Sequence, residues 1–63
     1  MKPHDIAIKE LEAAGYEFAR HGANHDQFRN PKLRKTIPLK RHDFDEDDLR
    51  YIRKEIKRNQ SDS

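Results

Sequence analysis

The sequence contains no cysteine, and this absence removes several kinds of chemistry. A disulfide, a thiolate metal site and a thiol nucleophile are all excluded. No apolar run approaches the roughly 20 residues of a membrane-spanning helix, and the N-terminus has no apolar core of a signal peptide. We therefore expect a soluble, cytoplasmic protein that does not associate with a membrane.

Common catalytic motifs are missing as well. The chain has no phosphate-binding loop, no Gly-x-Ser-x-Gly and no zinc-ligand pair. Its histidines are His4, His21, His25 and His42, whose spacings of 17, 4 and 17 match no known set of metal ligands. We expect no metal and no cofactor.

The chain is short and strongly charged. Its 63 residues are 32% apolar and 41% charged, so one domain spanning residues 1–63 with a thin core is expected. Residues 19–42 hold seven bases and one acid, a local charge of +6, whereas each flanking segment carries −2. A concentrated basic surface is typical of proteins that bind phosphate-bearing partners, although a solvated charged surface is the alternative.

Two amphipathic helices are predicted, one near each end of the chain. Apolar residues recur at helical spacing in residues 4–14, and Gly15 follows as a C-terminal stop. The second helix begins after Asp45, a predicted N-cap with Asp48 three residues later. We expect residues 59–63 to be frayed.

Three short strands are predicted between the helices, at residues 16–20, 24–29 and 34–39, each with alternating or β-branched residues. Turn signals at Gly22 and Asn30-Pro31 separate them, and Pro38 suits an edge strand. The predicted fold is therefore α+β in the order α-β-β-β-α: a three-stranded antiparallel sheet with two helices on one face. We expect the buried side to hold Ile8, Leu11, Tyr16, Phe18, Phe28, Ile37, Leu49, Ile52 and Ile56.

His25 is the candidate for acid–base chemistry. It follows the Gly22 turn at the start of a predicted strand, and four cations are expected on neighbouring strand positions. Cations can hold a phosphodiester while an imidazole takes the proton of a ribose 2′-hydroxyl. A structural or incidental histidine is the alternative. The four cations are Arg20, Arg29, Arg34 and Lys35.

Short motifs spread over most of the chain resemble one known family. They are Leu11 with Gly15-Tyr16, Arg20, Gly22-Ala23-Asn24-His25, Phe28-Arg29, Thr36-Ile37-Pro38, Arg41-His42 and Leu49-Arg50-x-Ile52. In this order they resemble the HicA toxins, small bacterial and archaeal messenger-RNA interferases of toxin–antitoxin modules. The segment containing His25 is similar to the Gly-Ser-(Asn)-His signature of that family.

The resemblance implies a fold like that of double-stranded-RNA-binding domains and RNA cleavage without a metal. It assigns catalysis to His25 and adds Asn24 and Arg41 to the expected RNA contacts. It also implies inhibition by a HicB-type antitoxin that covers the site. The general acid stays open between a lysine, His42 and water.

The chain departs from the family pattern at two places. Ala23 replaces the serine of the signature, and Leu39-Lys40 separate Pro38 from Arg41-His42. Two other functions remain open at this point. One is a non-catalytic RNA-binding module, and the other is a protein-interaction domain whose basic face meets an acidic partner.

Overall fold

The computed structural model describes residues 1–61, and the element order is α-β-β-β-α, which confirms the predicted fold. The observed ends of the first helix and of the three strands, and the start of the second helix, lie within one residue of the predicted ones. Within residues 1–61, no helix has the length and apolar character needed to cross a bilayer. The elements are α1 (Pro3–Ala13), β1 (Glu17–His21), β2 (His25–Asn30), β3 (Lys35–Lys40) and α2 (Glu46–Ser61).

Helix α1 ends through a glycine and an asparagine from the sheet. Gly15 has φ +94°, a conformation that favours glycine because a Cβ is strained there. Asn30 at the end of β2 donates from Nδ2 to the Ala14 carbonyl (3.0 Å) and accepts from the Leu33 amide (3.1 Å). This buried side chain therefore joins the end of α1 to the turn between β2 and β3.

Helix α2 starts with the predicted cap. The Asp45 carboxylate accepts from the amides of Asp47 (3.0 Å) and Asp48 (3.1 Å), and the Asp48 carboxylate accepts from the Asp45 amide (3.0 Å). The two aspartates thus satisfy each other's backbone donors, as in a capping box.

The three strands form one antiparallel sheet in the order β1-β2-β3, so β1 and β3 are the edges. Pro38 lies on the edge strand β3, where the prediction placed it. The pairing of β1 with β2 is irregular between Phe18 and Arg20, because Ala19 has no partner. This bulge turns Arg20 onto the same face as its partner Gln27.

Both helices cover one face of the sheet, and a single apolar core lies between the layers. The predicted core omitted the small residue Ala7, which is buried, and was wrong for two large side chains. Phe18 is 49% exposed, because β1 is an edge strand and α2 packs on β3 at the opposite side of the sheet. Leu39, left out of the predicted core, is fully buried. The buried apolar residues are Ala7, Leu11, Tyr16, Phe28, Ile37, Leu39, Leu49 and Ile52, and Ile8 and Ile56 are partly buried against them.

The predicted frayed tail is also corrected. Helix α2 continues to Ser61, and Asn59 is buried and donates from Nδ2 to the Tyr16 hydroxyl (3.0 Å). This hydrogen bond explains why the helix does not fray at residue 59, since breaking it would leave a buried amide unpaired. Asp62 and Ser63 lie outside the described residues.

Candidate active site

His25 is the first residue of β2 and lies on the sheet face that the helices leave open. Its partner across the β2–β3 ladder is Lys40, the last residue of β3. Successive side chains of a strand point to opposite faces of the sheet. Phe28 points into the core, so His25, three residues earlier, lies on the other face. The imidazole is exposed and therefore accessible to a ligand.

Two adjoining grooves meet at His25 and Lys40, which line both of them. The first, here called the helix-side groove, lies between the end of the sheet and α2 and has a volume of about 250 Å³. The second, the loop-side groove, has a volume of about 350 Å³. The helix-side groove is lined by His25, Pro38, Lys40, Phe44, Asp48, Tyr51 and Ile52. The loop-side groove is lined by Asn24, His25, Lys40, His42 and Asp43.

Lys40 is held in place at the junction of the grooves. Its Nζ donates to the Asp43 carbonyl (3.2 Å) and lies 3.5 Å from the Asp48 carboxylate. The pKa of Asp48 is lowered chiefly by the backbone hydrogen bond from Asp45, and Lys40 lowers it further against the opposing effect of burial. An ammonium group has three N–H donors, so one remains for a further acceptor when two face the oxygens of Asp43 and Asp48.

Lys40 was not among the site residues predicted from the sequence. The signal that places it opposite His25 is the length of the β2–β3 turn. That turn spans residues 31–34 and pairs Asn30 with Lys35, which puts residue 40 opposite residue 25. Arg34 closes the turn with φ +55°, an unusual conformation for a residue with a side chain.

Arg41 fastens the turn that precedes His25. Its Nη1 donates to the Gly22 carbonyl (2.8 Å) and to the Asp26 carboxylate (3.0 Å), and its Nη2 donates to the Ala23 carbonyl (2.6 Å). The Arg41 amide also donates to the Asn24 carbonyl (3.2 Å). We call this set of contacts the turn clamp. Arg41 thus positions the segment that carries His25, and its expected contact with RNA stays a prediction.

The clamp also orders the Asp26 carboxylate, which lies next to His25 in the chain. Burial acts to raise the pKa of Asp26, but hydrogen bonds from His21 and Arg41, together with their charges, lower it below its ordinary value. His21 Nδ1 lies 2.7 Å from Asp26 Oδ1. His21 therefore belongs to the face opposite that of His25, since it pairs with Asp26 across the strands.

Gly22 permits the close approach of the two strand ends. Its amide donates to the His25 carbonyl at 2.6 Å. A Cβ at this position would lie 2.8 Å from the same carbonyl oxygen, closer than side chains tolerate. The backbone of His25 is thus held by Gly22 and by its pairing with Lys40.

The predicted RNA-contacting cations do not all lie near His25. Arg20 and Arg29 are exposed on the open face, where Arg20 pairs with Gln27, two residues from Arg29. Lys35 is at the far end of the sheet, about 16 Å from His25 along the strand, and Arg34 is in the adjoining turn. The expectation that Arg34 and Lys35 flank His25 was wrong, because the hairpin carries them to the opposite end.

Asn24 and His42 share a groove with His25. Both line the loop-side groove with His25. His4 lines neither groove, and its ring meets that of the groove residue Phe44 edge-on at 5.4 Å between centroids. Among residues 1–61, no three histidine, aspartate or glutamate side chains gather closely enough to hold a metal ion.

Comparison of the chain with protein-family models, with curated proteins and with solved structures gives no match.

Proposed function

We propose that the protein is an endoribonuclease in which His25 acts as the general base. The observation that carries the proposal is the shared lining of the two grooves: His25 and Lys40 are partners in the sheet, and His42 lies in the same loop-side groove. An imidazole, an ammonium group and a second imidazole can serve as base, charge stabiliser and acid in RNA cleavage by internal transfer.

In the proposed reaction, neutral His25 takes the proton of a ribose 2′-hydroxyl. The 2′-oxygen then forms a bond to the adjacent phosphorus as the bond from phosphorus to the 5′-oxygen breaks. Protonated His42 gives its proton to the leaving 5′-oxygen. The products are a 2′,3′-cyclic phosphate and a free 5′-hydroxyl, and no metal is needed to balance the step.

Lys40 supplies positive charge where the phosphorane develops negative charge, since it is the strand partner of His25 and its ammonium group is positioned by Asp43 and Asp48. Arg20 and Arg29 lie farther along the open face and contact phosphates other than the scissile one. Asn24 contributes a polar side chain at the rim of the loop-side groove.

The resemblance to the HicA toxins adds a cellular role and a protein partner to the proposal. The chain then acts in the cytoplasm as a messenger-RNA interferase that arrests growth, and a HicB-type antitoxin neutralises it by covering the His25 grooves. What supports this extension is the order of the motifs from Gly15-Tyr16 to Leu49-Arg50-x-Ile52. A small antitoxin reading frame beside this one, whose product blocks cleavage, is its direct test.

The test of the ribonuclease is cleavage of a defined RNA by purified wild-type protein and by His25→Ala. Cleavage is expected to leave a 2′,3′-cyclic end, to persist in EDTA and to be lost in His25→Ala, with both proteins folded by circular dichroism. His4→Phe is the matched histidine control, because it keeps a ring against Phe44, and it should cleave normally. Cleavage by His25→Ala at the wild-type rate would refute the mechanism.

A second function, RNA binding without cleavage, is favoured by the exposure of Arg20 and Arg29 on a sheet face free of helices. A module of this kind reads the shape of A-form RNA through its backbone. It predicts binding that weakens steeply with salt and no cleavage products. The same gel assay therefore separates the two functions.

A further inference from the structure

The helix-side groove has an apolar lining that RNA cleavage at His25 does not use. Pro38 contributes from β3, Phe44 from the segment that precedes α2, and Tyr51 and Ile52 from α2 itself. The polar groups His25, Lys40 and Asp48 complete the lining. An apolar groove that adjoins a lysine and a histidine is complementary to a nucleobase whose phosphate lies beside it.

Tyr51 is the unusual residue of this groove. It is 53% exposed, whereas the apolar residues on either side of it in α2, Leu49 and Ile52, are buried. No described residue stacks on its ring or hydrogen-bonds its hydroxyl. Phe44 differs, since it is half-buried and in edge contact with His4. The face of Tyr51 is thus available to a ligand.

We propose that the helix-side groove binds one nucleobase of the RNA substrate, stacked on Tyr51, while the adjoining phosphate lies at Lys40 and His25. The inference rests on the proposed RNA substrate and adds a base-binding subsite to it. The volume of about 250 Å³ lies below the roughly 300–1,000 Å³ of pockets for drug-sized ligands, and it suits one ring system rather than a whole nucleotide.

Continuity with the cleavage site supports this occupant over others. His25 and Lys40 line both grooves, so a base in the helix-side groove leaves its phosphate at the junction. Stacking on one aromatic face tolerates every base, because each base has a π-face. The subsite therefore holds the RNA strand at the cleavage site and does not by itself select an RNA sequence.

The experiment uses binding, so that it is independent of cleavage. A 2′-O-methyl RNA oligonucleotide, which lacks the attacking hydroxyl, carries 2-aminopurine at one position at a time, because the fluorescence of this base responds to stacking. Wild-type protein and Tyr51→Phe are expected to change the fluorescence at one position. Tyr51→Leu should lose that change and bind about tenfold more weakly, a loss of about 1.4 kcal/mol.

Phe18→Leu is the matched control. Phe18 is an aromatic residue of similar exposure, 49%, and it lies on β1 at the edge of the sheet opposite β3. Phe18→Leu should bind the oligonucleotide with the wild-type affinity and give the same change in 2-aminopurine fluorescence. Equal binding by Tyr51→Leu and the wild type at every position would overturn the subsite, and so would an equal loss in Phe18→Leu.

A cleavage assay run in parallel separates the subsite from the proposed ribonuclease. A Tyr51-dependent signal without cleavage by the wild type keeps the subsite and rejects the enzyme. Cleavage with no effect of Tyr51→Leu on binding keeps the enzyme and rejects the subsite. A wild-type protein that neither binds the oligonucleotide nor cleaves RNA rejects both.

Discussion

Arg41 and Asp26 form an ion pair, with 3.0 Å between Nη1 and Oδ1, across the two strands that meet at His25. The same guanidinium donates to the carbonyls of Gly22 and Ala23, so one side chain joins the β1–β2 turn to Asp26 in the strand that follows. Because His25 begins the strand that follows, its position in the groove depends on this clamp. Arg41 is a positioning residue, since it acts through the segment that carries the histidine.

Replacement of Arg41 tests the clamp. Arg41→Ala should lower the free energy of unfolding by about 1.5–3 kcal/mol, because hydrogen bonds to charged groups are lost. It should also lower kcat more than it raises KM. Arg41→Lys separates the two possible roles: a plain phosphate contact would be largely rescued by a lysine, whereas the clamp needs the planar fork and would not be. Urea unfolding and steady-state cleavage kinetics give the two measurements.

Acidification should weaken the fold through Asp26. Its pKa is lower in the folded protein than its ordinary value, so the unfolded chain binds the proton more readily. The stabilisation is therefore present at neutral pH and is lost as the pH falls below about 5 toward the folded-state pKa. Asp26→Asn should be less stable than the wild type at pH 7 and lose less on acidification. Urea unfolding from pH 7 to pH 3 tests this, and parallel curves for the two proteins would contradict it.

Asp26→Asn should still lose some free energy of unfolding on acidification. The pKa values of Glu10 and Asp48 are also lowered, the first mainly by its hydrogen bonds from Arg53 and the second mainly by the amide of Asp45. Both carboxylates therefore contribute in the same direction as Asp26. Residual acid sensitivity in the variant is the expected result.

The two glycines should respond differently to alanine. Gly22→Ala places a Cβ 2.8 Å from the His25 carbonyl, so the start of β2 must shift at a cost of about 1–3 kcal/mol, and kcat should fall with stability. Gly15→Ala strains a residue at φ +94° by about 1–2 kcal/mol at the end of α1, away from the grooves. Its kcat should stay near the wild-type value. A normal kcat in Gly22→Ala would show that the backbone of His25 does not need this approach.

Leu39 and Phe18 compare a buried and an exposed apolar side chain on the two edge strands. Leu39→Ala should cost about 2–5 kcal/mol, because the side chain is fully buried. Phe18→Ala should cost about 0.5–1.5 kcal/mol, since the ring is half exposed and contacts only the rings of His21 and Phe28 among the described aromatic residues, at 4.8 Å and 6.0 Å between centroids. Urea unfolding of both variants checks the order, and a larger loss for Phe18 would contradict the observed core.

Asn30 should be the asparagine on which stability depends. Asn30→Ala removes the hydrogen bonds to Ala14 and Leu33 and leaves their groups unpaired, at a cost of about 1–3 kcal/mol. Asn24→Ala is the matched control for stability. It alters an exposed turn side chain and should change the free energy of unfolding by less than about 0.5 kcal/mol. Equal losses in the two variants would remove the structural role given to Asn30.

Much of the fold could be predicted because its signals are local. The 3.6-residue spacing of apolar side chains in α1 and the Asp45–Asp48 cap of α2 involve residues within one or two helical turns of each other. Phe18 escaped correct assignment because alternation shows which face a residue occupies but not whether a helix covers that face. Leu39 lies two residues after Ile37 and shares its face, so alternation extended by one step would have found it.

The site was predictable in part. The Gly22 turn and the strand that follows it place His25 at a strand end, as the sequence indicated. The partners of His25 depend on the register of β2 with β3, which a hairpin turn sets across a gap in sequence. For this reason Lys40 was missed, and Arg34 and Lys35 were expected at the wrong end of the sheet.

The sequence by itself determined the order of the elements, the caps of the second helix and the location of His25 after a glycine turn. These features arise from contacts between residues close in the chain, which periodicity and capping patterns encode. Only the tertiary structure decided that Lys40 faces His25, that Arg41 holds the turn and that Tyr51 borders an open groove. The first two relationships join residues 15 or more positions apart, and the third brings α2 to the ends of β2 and β3. Strand register and helix placement, which no local pattern specifies, bring these residues together.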